Sequence, residues 1–439
     1  MAAGTGKSYC KDKLEKCRSW IQKDPTKLIR YIVLLICCIV VTVQLSECFS
    51  KLRFPPITTH SHYELNDTMQ LPAVTICREP GYKPDVLKKY GLATHPKFYQ
   101  SWKRFPFNTT DISDVFSEST YSAEEILVQR GLDGEPEGIN ITSNLHFTYG
   151  MCHTFRGVRP TKSSFKDHGY SIMVKHDLTK EEGDILDVDV GWHIFIHELA
   201  EEFTEIRTKA SGRVEYMFVG VEEDVEIKLQ TQFFNMMTDG EKQCLNIPGY
   251  SAPKCGELCL WRELTNHYQC TGPWMPDIDM PTCSTYETMS KLITDYSNMF
   301  DNQAEPLCSC PDPCQSTIYS AFVMNRKDLV GQLKPYTQIW LYYTSRLVTI
   351  IEERPGYDLS QFVADIGGSI GFLLGLSVLG FIEILEKIAA ILLLSIVKKR
   401  KGESIKGGDT RRSSYADGSS DITMEISTIS NGGSNPKGK

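Results

Sequence analysis

The chain has 439 residues, is 41% hydrophobic and 23% charged, and carries a formal charge of -8. That length leaves room for two or three domains, and the composition is globular, which excludes a protein built mostly of membrane spans. The charge is uneven: residues 1–30 hold eight Lys/Arg against three Asp/Glu and residues 398–439 hold nine against five, so the middle is acidic and no nucleic-acid footprint stands out.

Residues 1–27 are basic and polar and read as cytoplasmic. Gly4-Thr5-Gly6-Lys7-Ser8 has the end of a phosphate loop without its start, because the position that needs a glycine is Met1 and no strand precedes it. Residues 28–49 form a first apolar run with an unbroken core from Tyr31 to Val43, which Leu28, Ile29, Leu45 and Phe49 extend toward the ~20 residues of a span. A cleaved signal peptide is the alternative. The long segment before the core and the lack of a small-residue cleavage site favour a retained helix.

Residues 50–361 read as an extracellular domain. Ten of the fifteen cysteines lie there, between the two apolar runs, and an even number suits an oxidised compartment. The glycosylation sequons at Asn66, Asn108 and Asn140 lie in the same region. Phe54-Pro55-Pro56 stops the first helix. The spacing predicts a strand over Leu71–Cys77, a helix over 121–130 capped by Ser122 with Glu125, and strands at Tyr170–Lys175, Trp192–His197 and Arg213–Gln230. Eight cysteines crowd into 244–314, with a helical pattern at Tyr286–Phe300 inside that block, and 336–351 is aromatic and β-branched. The class is α+β with a disulfide-dense subdomain. His197-Glu198 begins like a zinc-protease helix, but the second histidine of that motif is Glu201, so His193 and His197 read as neighbours on one strand face.

Residues 362–397 form a second apolar run, longer than a simple span needs, closed by Lys398-Lys399-Arg400-Lys401. Residues 398–439, rich in Ser and Gly, read as a disordered cytoplasmic tail in which Arg411-Arg412-Ser413-Ser414 is a candidate phosphosite. The run holds Asp365, Gly367, Gly368, Ser369, Gly371, Gly375, Ser377, Gly380, Glu383 and Glu386, which an anchor does not require. Asp365 and Glu383 are about five helical turns apart, hence on one face and roughly 27 Å apart, close to the ~30 Å hydrocarbon thickness. Acids so placed attract cations to the mouths of a pathway. Ser377 lies about 120° off that face on a straight helix, so either it is structural or the helix breaks at Gly375-Leu376-Ser377 and turns carbonyls to a lumen. The plainer alternative is a glycine ridge, Gly367, Gly371 and Gly375, used for helix packing. Two helices cannot enclose a hole, so a pore requires several copies about an axis.

Four patterns in this order resemble the degenerin/epithelial sodium channel family, over nearly the whole stretch from 28 to 387. They are Leu71-Pro72-Ala73-Val74-Thr75-Ile76-Cys77, Gly150-Met151-Cys152-His153-Thr154-Phe155, Cys308-Ser309-Cys310-Pro311-Asp312-Pro313-Cys314 with Tyr319, and Asp365 through Gly375-Leu376-Ser377 to Glu383. The resemblance implies two transmembrane helices with both termini cytoplasmic. It also implies a hand-like extracellular domain of palm, thumb, finger, knuckle and β-ball parts, with the thumb at about 244–314. The assembly implied is a homo- or hetero-trimer with related subunits in the plasma membrane. The function implied is a sodium-selective channel blocked by amiloride-like compounds and gated through its ectodomain, with sodium as permeant ion, no other cofactor, no metal and no catalytic residue. Gly375, Leu376 and Ser377 would form the filter; Ala364, Asp365, Gly368, Gly371, Glu383 and Glu386 would line the pore or its mouths. Ten cysteines alone allow about 945 pairings; the resemblance implies Cys77–Cys152, Cys244–Cys314, Cys255–Cys310, Cys259–Cys308 and Cys270–Cys283.

The sequence departs from the family pattern in four ways. Residues 1–27 lack the His-Gly that precedes the first span, and Leu376 is bulkier than the usual filter residue. Ala364 holds the small gating position, and Lys242-Gln243 stand where an aromatic is common. An auxiliary, non-conducting subunit, a ligand-binding receptor and an ATP-gated trimer are the alternatives. The last lacks its Asn-Phe-Arg, since Asn325 is followed directly by Arg326. For a stimulus, Glu287, Asp295, Asp301 and Glu305 are candidates for a proton-sensing pocket, weighed against a solvated helical face.

Overall fold

The computed structural model describes residues 25–92, 95–132, 134–206, 213–238, 243–302, 308–329 and 335–374, with six further positions between 382 and 391. They fall into two compact units: one is Arg53–Asp358, the other joins the residues up to Leu52 with those from Leu359 on.

In the terminal unit, helix α1 spans Pro25–Arg53, and Ile32–Arg53 is long and apolar enough to cross a membrane. Ile32, Val33, Leu34, Leu35, Ile36 and Ile39 are exposed, which suits a lipid environment better than water.

The larger unit begins with β1 (Ile57–Leu65) and β2 (Ala73–Glu79). Helices α2 (Pro84–Lys89), α3 (Ile112–Ser119) and α4 (Ala123–Ile126) follow, then β3 (Leu127–Leu132), β4 (Ile139–His146), β5 (Gly150–Gly157) and β6 (Tyr170–Lys175). After α5 (Lys180–Leu186) come β7 (Gly191–His197), β8 (Glu215–Gly220) and β9 (Glu223–Asn235). Helices α6 (Ala252–Tyr268) and α7 (Tyr286–Asn302) precede β10 (Gln315–Asp328), β11 (Tyr336–Tyr343) and β12 (Leu347–Pro355).

Two sheets form the core. Five strands run β4-β5-β2-β7-β8, all antiparallel. Seven run β1-β12-β9-β11-β6-β3, with β10 on the other edge of β9. Val74, Ile76, Phe155, Trp192 and Ile194 of the first pack on Ile172, Val225, Ile227, Ile339 and Leu341 of the second. The alternating burial of β6 and β9 is the period-two pattern of strands with one face inward. β2 is buried on both faces, since Val74 and Ile76 pack toward the other sheet while Cys77 lies in a separate cluster with Cys152, Phe195 and Phe203.

β9 is long enough to take two parallel partners on one edge: β11 along Asp224–Leu229 and β12 along Gln232–Asn235. Between them the chain leaves the ladder, so the seven-stranded sheet has a seam. Below it β12 continues with β1, pairing Leu65 with Leu347 through Ile57 with Pro355.

Two sequence expectations are corrected. The helix expected over 121–130 stops at Ile126: the capping box of Ser122 and Glu125 forms, but 127–132 gains a full backbone ladder by pairing with β6. The strand expected over 213–230 is two strands, turned at Glu222, whose φ is 63°. The Glu223 carboxylate accepts the Gly220 N–H and closes that turn.

A second core lies under the helices. Met289, Leu292, Ile293 and Tyr296 form one buried stripe of α7, at helical spacing, against Trp102, Phe116, Phe147 and Trp274.

Candidate functional site

From Leu359 the chain forms helix α8, which runs without a break through Leu374. Ala364, Asp365 and Gly368 lie on it exposed, Gly371 is half-buried, and Glu383 and Glu386 are exposed. Gly375, Leu376 and Ser377 lie outside the described residues, as does Glu305. A Cβ added to Gly367 or Gly368 would meet nothing within 4 Å, so these glycines are not packing sites within the single chain. The ring of Phe362 contacts that of Phe49 edge-on at 5.0 Å, tying α8 to α1.

Five disulfides join Cys77–Cys152, Cys244–Cys314, Cys255–Cys310, Cys259–Cys308 and Cys270–Cys283, the pairs the resemblance implies. Cys77 and Cys152 face each other on β2 and β5. The other four staple the stretch that holds α6 and α7. Asn108 and Asn140 are exposed and Asn66 half-buried.

Among the described residues, the three acids considered for proton sensing, Glu287, Asp295 and Asp301, have separate surroundings. Glu287 pairs with Lys291 one turn on, at 2.8 Å. Asp295 accepts the Tyr268 hydroxyl and so links the two helices. Asp301 lines a separate cleft of about 420 Å³ beside Lys97 and Tyr99. His193 and His197 are sheet residues: His193 contacts the Tyr216 hydroxyl and Glu79, and His197 the Thr75 hydroxyl. No cluster of metal-ligating side chains occurs among the described residues.

A different pair of acids is buried where α6 and α7 meet the β4–β5 turn. Glu205 accepts the N–H groups of Phe147, at 2.7 Å, and of Thr148, and the Tyr296 hydroxyl at 3.0 Å. Glu257 of α6 accepts the Glu205 N–H at 3.1 Å. Both carboxyls are pushed upward by burial, Glu257 to about 8. The nearest cation, Lys254, lies 3.9 Å from Glu257 and is shared with Asp277 at 2.8 Å and Glu202 at 3.6 Å. Neither Glu205 nor Glu257 is among the residues expected from the sequence to form a site. A signal was present, since Glu257, Leu260, Trp261 and Leu264 make one helical stripe in which an acid stands among core residues.

Tyrosines fasten the segment entering β2. The Tyr343 hydroxyl donates to the Gln70 carbonyl at 2.6 Å and the Tyr170 hydroxyl to that of Pro72 at 3.0 Å. Thr231 donates to the Tyr343 hydroxyl at 3.2 Å, so this peg stands at the sheet seam.

A family model described as "Amiloride-sensitive sodium channel" matches residues 10–386. Acid-sensing ion channel 4-B of Danio rerio is 20% identical over 364 residues, covering 74% of this chain and 64% of that protein. Acid-sensing ion channel 1A of the same fish is 23% identical over 331 residues, 66% of this chain and 61% of that one. Pickpocket protein 19 of Drosophila melanogaster is 28% identical over 154 residues, 31% of this chain and 30% of that protein. The chain thus spans less than two thirds of the first two relatives.

Proposed function

Because the chain belongs to the amiloride-sensitive sodium channel family, whose members are ion channels and not enzymes, we propose that it is a subunit of a trimeric, sodium-selective, amiloride-blocked channel of the plasma membrane. α1 would be the first span, and the run from 362 to 397 the second and pore-lining one. The disulfide-stapled helices would be the thumb, the seven-stranded sheet the palm, and both termini would be cytoplasmic. The observation that carries this reading is the family match itself. It runs unbroken from before the first apolar run to beyond Glu383 and so includes the acid-bearing, glycine-rich helix. The exposure of Asp365 and the open space around Gly367 and Gly368 fit side chains turned to a shared axis.

Gating follows from the connections. β1 and β12 are a paired ladder whose outer ends lie a few residues from α1 and α8 in the chain. A stimulus that moves the stapled helices against the sheets would reach the spans through 336–361. The second reading, an auxiliary subunit, is favoured by Leu376 in the filter triplet and by the absence of His from residues 1–27.

Whole-cell recording of the chain expressed alone tests both. An amiloride-blocked sodium current is the expected result. Its absence under every ligand, with protein at the surface, removes the autonomous channel and leaves the auxiliary subunit. Where current is present, Ser377→Ala is expected to change the sodium-over-potassium preference; unchanged selectivity removes the filter assignment.

A further inference from the structure

A cavity of about 620 Å³ lies where the end of β2, the start of α2, helix α4 and the end of β6 converge. Its volume is that of a small-molecule site. Pro80, Val86, Ile126 and Leu178 give it apolar walls. Its charged lining is balanced: Arg78, Lys83 and Lys175 against Asp85, Glu125 and Asp177.

Those six charges are not equivalent. Lys83 and Glu125 neutralise each other at 2.7 Å. Arg78 is a built part of the wall, with its side chain 2% exposed and its guanidinium 3.8 Å from the centre of the Tyr121 ring. It donates to the Pro80 carbonyl at 2.6 Å and lies 3.2 Å from His176 Nδ1. Neither partner is an anion, and burial together with Arg78 holds His176 neutral, down to about 3. The closest carboxylate, Asp177, stands 3.7 Å away and is 66% exposed, so water screens most of its charge. A buried cation compensated this weakly is costly unless an anion arrives. Lys175 and Asp85, of opposite sign and both exposed, make no ion pair among the described residues.

We propose that this cavity binds a small zwitterion with an apolar body, an amino-acid-like ligand whose carboxylate meets Arg78 and Lys175 and whose ammonium meets Asp85. The apolar body rests on Pro80, Val86, Ile126 and Leu178. A free anion would satisfy Arg78 but leave Asp85 facing it; a cation would do the reverse. Only a ligand with both charges uses the whole lining.

Equilibrium titration of the purified full chain tests this without reference to conduction, so its failure and that of the channel reading are separate results. The probes are L-phenylalanine, 3-phenylpropionate, which lacks the ammonium, and phenethylamine, which lacks the carboxylate. The zwitterion is expected to bind saturably and each single-charge analogue about tenfold more weakly or worse, the loss of one charge-assisted contact. Lys175→Glu is expected to weaken L-phenylalanine and 3-phenylpropionate and spare phenethylamine, and Asp85→Lys to weaken L-phenylalanine and phenethylamine and spare 3-phenylpropionate. Both positions are exposed, so neither change opens a cavity in a core. The proposal is overturned if L-phenylalanine does not saturate below ~10 mM, if the three probes bind alike, or if the two variants fail to sort them.

Discussion

Between Cys244 and Cys314 four disulfides close a stretch whose helices pack on one aromatic core, whereas no strand of the seven-stranded sheet carries a cysteine and its neighbours come from distant parts of the chain. The first region is fixed by covalent closure. The second is fixed by ladders, and it has a seam on the edge of β9 where β11 ends and β12 begins. A covalently closed body, set against a sheet that has a place to part, can transmit a displacement. In the proposed channel the stapled helices would act as a lever and the seam would be where its motion is taken up.

At a fixed pH, breaking a staple should have the largest effect, and which one matters. Cys244–Cys314, Cys255–Cys310 and Cys259–Cys308 are nested, closing 70, 55 and 49 residues, so each holds the ends of its neighbours close. Removing one leaves little extra chain freedom. Cys270–Cys283 closes its own 13-residue loop, which no other bond duplicates. Replacing both of its cysteines by alanine is expected to cost about 3 kcal/mol, more than the loss of either inner rung of the ladder. Thermal unfolding of the purified variants checks the order; equal losses would make the nested rungs independent.

The contact of the stapled helices with the β4–β5 turn of the five-stranded sheet gives the next effect, which depends on pH. Glu257 keeps its proton in the folded protein up to about 8, against an ordinary value of 4.5. Across that window the unfolded chain has released the proton while the folded one still holds it. Stability therefore falls as pH rises, by at most ~1.4 kcal/mol per pH unit from this group. Glu257→Gln mimics the protonated form. It should flatten the melting temperature between pH 5 and pH 8 and leave the variant the more stable at the alkaline end. A slope identical to that of the parent would mean that Glu257 is ionised in the folded state.

How much of this was legible in the sequence depended on whether burial left a period. β6 was readable because its buried residues alternate along the strand, β7 because Trp192, Ile194, Phe195 and Ile196 make a short aromatic and β-branched run, and α7 because Met289, Leu292, Ile293 and Tyr296 recur at helical spacing. β1 was not: Ile57–Leu65 is exposed at nearly every position, an edge strand held by its ladder to β12, so no alternation marks it. β10 likewise loses its pattern after Ala321, where its side chains turn to solvent. The acids show the same limit from the other side. Glu287 and Asp295 lie in a helix that looks acidic and are paired locally, while Glu205 and Glu257 look like ordinary surface charge and are buried. In the second apolar run, composition carried the expectation: Asp365 and its glycines stand out in any apolar run, whatever their neighbours.

The smallest effect probes the seam directly. Tyr343 ends β11, is 2% exposed, and donates to the Gln70 carbonyl at 2.6 Å while accepting from Thr231 at 3.2 Å. Tyr343→Phe keeps the ring and removes the peg, at an expected cost of about 1 kcal/mol. That modest figure has a reason. The Tyr319 hydroxyl also reaches the Gln70 carbonyl, at 3.4 Å, and can tighten onto it when its rival is gone. Tyr319→Phe alone should cost less, because its bond is the longer one. With both hydroxyls removed the carbonyl is stranded between buried rings, so the double variant should lose more than the two single losses added together. Strict additivity in thermal unfolding would mean that the two tyrosines do not share Gln70, and that the strands on either side of the seam are fastened independently.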